Sequence, residues 1–273
     1  VCEWWRNASQ EQTAPSNTLD TSGGDLFELE MTNRLRIDRL LVERGLFDSR
    51  AKAQAAIGAG LVSIDGKIIV KASEIVAEDA DIKASAAHPY VSRGALKLVA
   101  ALDRFGFDPK GRVCLDIGAS TGGFTQVLVE RGAAKVYAVD VGSGQLHESV
   151  KARPVVVSRE QTDIRTLTPA DFTTPPDLIV CDVSFISLKL VLPPALGLAA
   201  AGAQLVALIK PQFEAGRASL KKGIVRDPAV HQAVRDDIAQ LVTALGWAVI
   251  DIAQSPITGG DGNVEFLLGA ERC

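Results

Sequence analysis

VCLDIGASTGGFTQVLVERGAAKVYAVDV, residues 113–141, reads as strand, glycine-rich turn, helix and second strand. The apolar run through Val113, Leu115 and Ile117 ends at Gly118. Gly122 and Gly123 then open a segment in which Phe124, Val127 and Leu128 recur at helical spacing, and Gly132 closes it. The next apolar run, Lys135 to Val141, carries Asp140 at its carboxyl end, where an acidic side chain can accept both hydroxyls of a ribose. The stretch predicts a βαβ unit that holds a nucleotide-like ligand.

A dinucleotide fingerprint requires G-x-G-x-x-G at this turn, which Gly118-Ala119-Ser120-Thr121-Gly122-Gly123 does not supply. Asp116, just before the turn, puts negative charge where a pyrophosphate is disfavoured and a cation is not. S-adenosylmethionine suits this arrangement, its adenosine on the Asp140 side and its sulfonium and amino acid on the carboxylate side. The alternative is a βαβ unit without nucleotide, its glycines serving only packing.

With 273 residues the chain has room for a large α/β domain and a small module. Hydrophobic residues make up 47% and charged residues 23%, as in an ordinary globular protein. A net charge of -4 argues against non-specific coating of nucleic acid and leaves room for a local basic face. Cys2, Cys114, Cys181 and Cys273 form no C-x-x-C pair, which fits a reducing cytosol, and no metal-ligand spacing occurs. Residues 1–32 lack a secretory pattern and any periodicity. They read as a disordered or mis-assigned leader, with Met31 as the expected start.

From Arg34 the pattern becomes regular. Ile37, Leu40 and Leu41 form a helical stripe ending at Gly45, Ser49 caps a second helix with Ala53, Ala56 and Ile57, and Asp65-Gly66 separates two β-rich runs as a hairpin turn. Between Arg34 and Lys71 there are 8 basic and 4 acidic residues. The series RIDRLL, then G-x-x-x-SR-x-x-A, then G-x-V-x-I-D-G, resembles the S4 RNA-binding domain over residues 34–83. That resemblance implies that Arg36, Arg39, Arg50 and Lys52 face structured RNA, making phosphate contacts that position it without reading sequence. The break at His88-Pro89-Tyr90 divides the S4 domain, residues 33–88, from residues 89–273.

Ser92 is expected to cap the helix RGALKLVAALDRFG, in which Lys97 stands among apolar residues. Further along, Asp163 follows a short β run within reach of an adenine, and Asp182 ends the strand of DLIVCDVSFISL. The uncharged run Leu190 to Ile209 is not a membrane span, because Pro193-Pro194 breaks a spanning helix near its start and Gly202 separates a helix from the strand LVALI. Lys210 follows that strand, and the loop Pro211 to Arg226, with Arg217, Lys221, Lys222 and Arg226, reads as a lid or RNA clamp. A helix from Pro228 to Leu245, the strand WAVIDIA and the strand NVEFLLGA, with Glu265 inside it, complete an alternating α/β pattern.

Lys97, Asp182, Lys210 and Glu265 all stand where charge is expensive. With LDIGASTGGFTQ before Asp182, they resemble, in order, the K-D-K-E residues of FtsJ-like ribose 2′-O-methyltransferases. The motifs YVSRGALKL, CDVSFISL and IKPQFE, together with the S4 module, narrow the resemblance to the TlyA-type, or haemolysin-A-like, rRNA methyltransferase family from about Met31 to Ala270. One departure is GASTGGF in place of G-x-x-P-G-G-F. The resemblance implies a Rossmann-like class I methyltransferase with a seven-stranded, mostly parallel sheet behind a small α+β S4 domain. It further implies a cytoplasmic enzyme acting on cytidine ribose in 16S and in some members 23S rRNA, with ribosomal RNA or subunits as partners and no metal or membrane. The implied cofactor residues are Asp116, Gly118, Ser120, Gly122, Gly123, Phe124, Asp140, Asp163 and Asp182, with Arg93 on the RNA.

In that chemistry a base takes the proton of a weakly acidic hydroxyl as its oxygen attacks the methyl in line with sulfur, and Lys210 is the candidate. Nearby positive charge favours its neutral form, while Asp182 and Glu265 orient the two amines. Two other readings stand beside it. A membrane-active haemolysin lacks a secretion signal or spanning segment in this sequence, and a non-catalytic RNA-binding protein has no use for the four charged residues together.

Overall fold

Between Pro89 and Tyr90 the chain passes from one packed unit to another. The computed structural model describes residues 33–216, 219–259 and 262–273, so the leader and Arg217 lie outside the described residues. The first unit runs β1 (Arg34–Arg36), α1 (Ile37–Glu43), α2 (Arg50–Gly58), β2 (Val62–Ile64), β3 (Lys67–Ile68), β4 (Ile75–Ala77) and β5 (Ile82–Ala84). The expected apolar stripes of α1 and α2 meet Val62, Ile64 and Ile82 in its core. Ser49 caps α2 by accepting from the Lys52 amide at 3.4 Å. Asp65 and Gly66 take φ 50° and 78°, the left-handed pair that turns β2 back onto β3.

The second unit begins with α3 (Ala95–Phe105), β6 (Val113–Ile117), α4 (Gly123–Glu130), β7 (Lys135–Val139), α5 (Glu148–Lys151) and β8 (Val156–Arg159). It continues through β9 (Leu178–Cys181), α6 (Leu188–Gly197), β10 (Gln204–Ile209), α7 (Pro211–Glu214), α8 (Pro228–Ala244), β11 (Trp247–Gln254) and β12 (Phe266–Arg272). Its 7-stranded sheet has the order β11-β12-β10-β9-β6-β7-β8. β12 runs antiparallel to both β10 and β11, while the neighbours from β10 through β8 pair in parallel. One face packs under α3 and α4 through Leu98, Leu102, Phe124, Val127 and Leu128. The other packs under α6 and α8 through Leu188, Val191, Leu192, Ile238 and Val242. Strand order changes direction between β6 and β9, which opens a crevice at their carboxyl ends.

Several local expectations are corrected. Ser92 makes no side-chain cap; α3 starts at Ala95, and the Ser92 hydroxyl instead covers Gly123, where a Cβ would collide with it. Pro193 and Pro194 lie inside α6, not at a break, because burial of Leu188, Val191, Leu192, Ala195 and Leu196 offsets the two missing N–H donors. Pro211 opens one helical turn, α7, before the lysine-bearing loop. Glu265 precedes β12 rather than lying within a strand. No helix among the described residues is long and apolar enough to cross a membrane.

Candidate active site

The reversed direction of β12 decides where the charges meet. Because β12 is antiparallel, the residue before it reaches the edge at which β9 and β10 end. Ile209 pairs with Phe266, so Lys210 and Glu265 are the next residues out on adjacent strands. Asp182 directly follows β9, and Lys97 lies in the first turn of α3. Lys210 Nζ is 2.6 Å from Asp182 Oδ1 and donates to Ser184 Oγ at 2.9 Å. Lys97 Nζ donates to Glu265 Oε2 at 2.5 Å.

Lys97 and Lys210 are each 7% exposed and Glu265 3%. Charges so buried persist only when paired, and here each ammonium has its own carboxylate. Lys97, Lys210 and Glu265 line a cleft of about 600 Å³ together with Arg93, Phe185 and Phe213. The Arg93 guanidinium, on the exposed side, reaches the Thr258 carbonyl at 3.5 Å. All four members of the tetrad are thus brought to one edge.

The glycine turn is filled from within. Gly118 has φ 81°, and a Cβ there would meet the Asp182 carbonyl oxygen at 2.6 Å; at Gly122, φ 92°, it would meet Leu146 Cδ1 at 2.7 Å. The absence of a Cβ at these two glycines permits that close packing. Phe124 is likewise 4% exposed, its ring committed to the layer beneath α3. What remains for a ligand is the amino end of α4, with the Gly123 and Phe124 amides outside the intrahelical ladder.

The carboxylates around this turn differ in their freedom. Asp140 accepts from the Ser120 amide at 2.8 Å on one oxygen and the Gly142 amide at 2.7 Å on the other, which holds the β7 end against the turn and leaves a lone pair on each oxygen. Asp163 turns to Arg165, accepting from its amide at 2.9 Å and its guanidinium at 2.6 Å, and this holds its carboxyl below the usual range. The loop carrying Asp163 still lies beside Asp140, since the Thr162 amide donates to the Asp140 carbonyl at 2.9 Å. Asp116 is fully buried rather than open to the crevice. Thr125 Oγ1 donates to its Oδ2 at 2.6 Å, and Oδ1 has no hydrogen-bond partner among the described residues. Burial pushes its carboxyl up to about 7 against the Thr125 hydrogen bond, with Asp182 and Asp140 adding repulsion. An orphaned acceptor within a crowd of carboxylates fits a cationic ligand.

On the first unit, Arg36, Arg39, Arg50 and Lys52 are all ion-paired, with Asp38, Glu43, Asp38 and Asp48 respectively. Sequence reasoning gave no account of Asp38 in that arrangement. It also missed Ser184, which holds the Lys210 amine, and Phe185, 91% exposed at φ 65° with its ring 5.1 Å from that of Phe213. The sequence clue was present: a phenylalanine within three residues of a candidate active-site aspartate. No group of His, Cys, Asp and Glu that could hold a metal ion occurs among the described residues.

Comparison with known proteins meets this geometry independently. The model of the FtsJ-like methyltransferase family matches residues 90–272, and that of the S4 domain matches residues 35–82. The chain is 46% identical over 241 residues to the 16S/23S rRNA (cytidine-2′-O)-methyltransferase TlyA of Mycobacterium tuberculosis, covering 87% of this chain and 90% of that one. It is 39% identical over 236 residues to Hemolysin A of Brachyspira hyodysenteriae, covering 85% of this chain and 98% of that one. A solved structure of a hemolysin-named protein from Streptococcus thermophilus superposes with a TM-score of 0.70 at 41% identity, covering 88% of this chain and 89% of that one. With both family models matched and relatives of this identity covered over most of their length, the chain belongs to the TlyA-type branch of the FtsJ-like methyltransferase family.

Proposed function

We propose that this chain methylates the ribose 2′-hydroxyl of a cytidine in ribosomal RNA, using S-adenosylmethionine. The observation that carries the reading is the Lys210 amine, held at the cleft between Asp182 Oδ1 and Ser184 Oγ, beside a second buried pair of Lys97 and Glu265. The identity of the nucleotide rests on the activity named for the M. tuberculosis relative.

When bound, S-adenosylmethionine supplies an electrophilic methyl on a cationic sulfur. The residues present suit it: Asp140 has lone pairs for a ribose, the Asp163 loop lies beside Asp140, and Asp116 and Asp182 favour positive charge. Lys210 is the base that takes the proton of the 2′-hydroxyl. Asp182 and Ser184 fix the direction of its lone pair, and Lys97, steadied by Glu265, sets a positive charge near the oxygen that loses the proton. Most of the acceleration comes from holding oxygen and methyl in line. Residues 33–88 serve as the RNA-binding domain and residues 89–273 as the catalytic one, Arg93 adding a cation at the cleft mouth.

Incubating the purified chain with radiolabelled S-adenosylmethionine and ribosomal subunits, then digesting the RNA to nucleosides, tests this directly. The expected product is 2′-O-methylcytidine, absent with Lys210→Ala. Label on a base, or no label on any subunit or free rRNA, overturns the reading.

A further inference from the structure

Asp38 is a carboxylate with no exposed surface, and three side chains converge on it. Arg36 grips it with two hydrogen bonds, Nε to Oδ1 at 3.0 Å and Nη2 to Oδ2 at 3.2 Å. Arg50 Nη2 donates to Oδ2 at 2.7 Å and Gln54 Nε2 to the same oxygen at 2.8 Å. The two arginine side chains are nonetheless 42% and 54% exposed. Each uses only part of its donor fork inward, and the remaining N–H groups stand outward.

The placement follows from the local fold. Arg36 ends β1, Asp38 lies in the first turn of α1, where the helix end favours an anion, and Arg50 opens α2 behind the Ser49 cap. One buried anion thus ties together two elements and two guanidiniums. Arg39 and Lys52 differ, since their partners Glu43 and Asp48 are themselves 46% and 71% exposed, and such pairs exchange freely with water.

We propose that Asp38 is a positioning residue for RNA binding: it holds Arg36 and Arg50 as a rigid twin guanidinium site for adjacent backbone phosphates. This rests on the reading of the first unit as an RNA-binding domain. Free arginine side chains lose rotamer freedom on binding, and a pair already fixed avoids most of that loss. Planar forks suit phosphate oxygens bidentately. Long-range electrostatics make the opposite prediction for the same residue, because removing an anion near a polyanion-binding face tightens binding in general.

The test uses the full chain and ribosomal RNA. Asp38→Asn keeps shape and removes one negative charge. It is expected to raise KM for RNA about tenfold, two immobilised side chains being freed, with kcat at saturating RNA and affinity for S-adenosylmethionine retained. In an Arg36→Ala/Arg50→Ala background the same substitution should add nothing. Unchanged or tighter RNA binding by Asp38→Asn, while the arginine variants are weakened, overturns the positioning role. Arginine variants that bind RNA like the wild type overturn the underlying RNA reading instead. Should Asp38→Asn fail to fold, the guanidinium N–H resonances of the wild type decide: slow solvent exchange at Arg36 Nε and Arg50 Nη2 relative to the same groups of exposed Arg34 supports the clamp, and equal exchange overturns it.

Discussion

Lys210 is held by an acid and a hydroxyl, and its candidate role as base is separable from its charge. Lys210→Arg keeps a cation that Asp182 can pair but one that stays protonated. Single-turnover methylation at saturating RNA should therefore fall by about two orders of magnitude or more, the range of general-base contributions, with cofactor affinity nearly unchanged. Near wild-type turnover would leave alignment alone to explain the rate. Asp116 gives a pH signature. Its carboxyl is raised from 3.8 to about 7, so the folded state binds a proton that the unfolded state has already released. The resulting penalty is absent below about pH 4, grows as pH rises toward 7 and is constant above it. Asp116→Asn should thus gain melting temperature relative to wild type between pH 4 and 7, with a plateau beyond, and a pH-independent difference would refute the assignment. A cationic ligand favours the ionised acid, so calorimetric affinity for S-adenosylmethionine should tighten from pH 6 to 8 in the wild type and much less in the variant. Phe185 is a third case. Its ring is 91% exposed, so Phe185→Ala should leave stability nearly intact yet raise KM for RNA about tenfold if the ring stacks on a base.

At the scale of elements, the site depends on where strands end and how closely they approach. Gly118 lets β6 turn beneath the end of β9; alanine there faces both a left-handed φ of 81° and the Asp182 carbonyl at 2.6 Å. Gly118→Ala should cost stability by about 1–3 kcal/mol and reduce methyl transfer further than that loss implies, because Asp182 moves with its strand. Thermal melts and single-turnover rates on one preparation separate the two effects. Much of this level was legible beforehand. The β6-α4-β7 unit, the Ser49 cap and the Asp65-Gly66 hairpin follow from local patterns that the structure keeps. The path of α6 through Pro193 and Pro194 was not, since tertiary burial overrode a local rule. Nor was the direction of β12, which no periodicity encodes, although it alone brings Glu265 to Lys97. The tetrad was legible as four charges in costly places and as a likeness of motif. Its division into two ion pairs, the packing role of the glycines and the Asp38 clamp are three-dimensional facts with no trace in spacing.

For the whole molecule, the division between Pro89 and Tyr90 separates two kinds of work. Lys97, Asp182, Lys210 and Glu265, with every strand of the seven-stranded sheet, come from residues 90–273, so this part contains its own core and its own candidate chemistry. The cations expected to meet RNA phosphates belong mainly to the other unit, in a chain whose net charge of -4 gives no general attraction to a polyanion. On this reading most of the affinity for RNA comes from the first unit, with Arg93 and Phe185 adding contacts at the cleft, while cofactor binding belongs to the second. A chain reduced to residues 90–273 should fold with a cooperative thermal transition and bind S-adenosylmethionine as the full chain does. It should lose most methyl transfer at limiting RNA, with the defect appearing in KM. The plot of log affinity against log salt should flatten as well, because each phosphate contact removed takes away about one released counterion. Flattening distinguishes lost phosphate contacts from general damage, which lowers activity without changing the slope. Full activity of residues 90–273 at low RNA, with the original salt dependence, would place the RNA-binding cations on the catalytic unit and leave the first unit without a part in substrate capture.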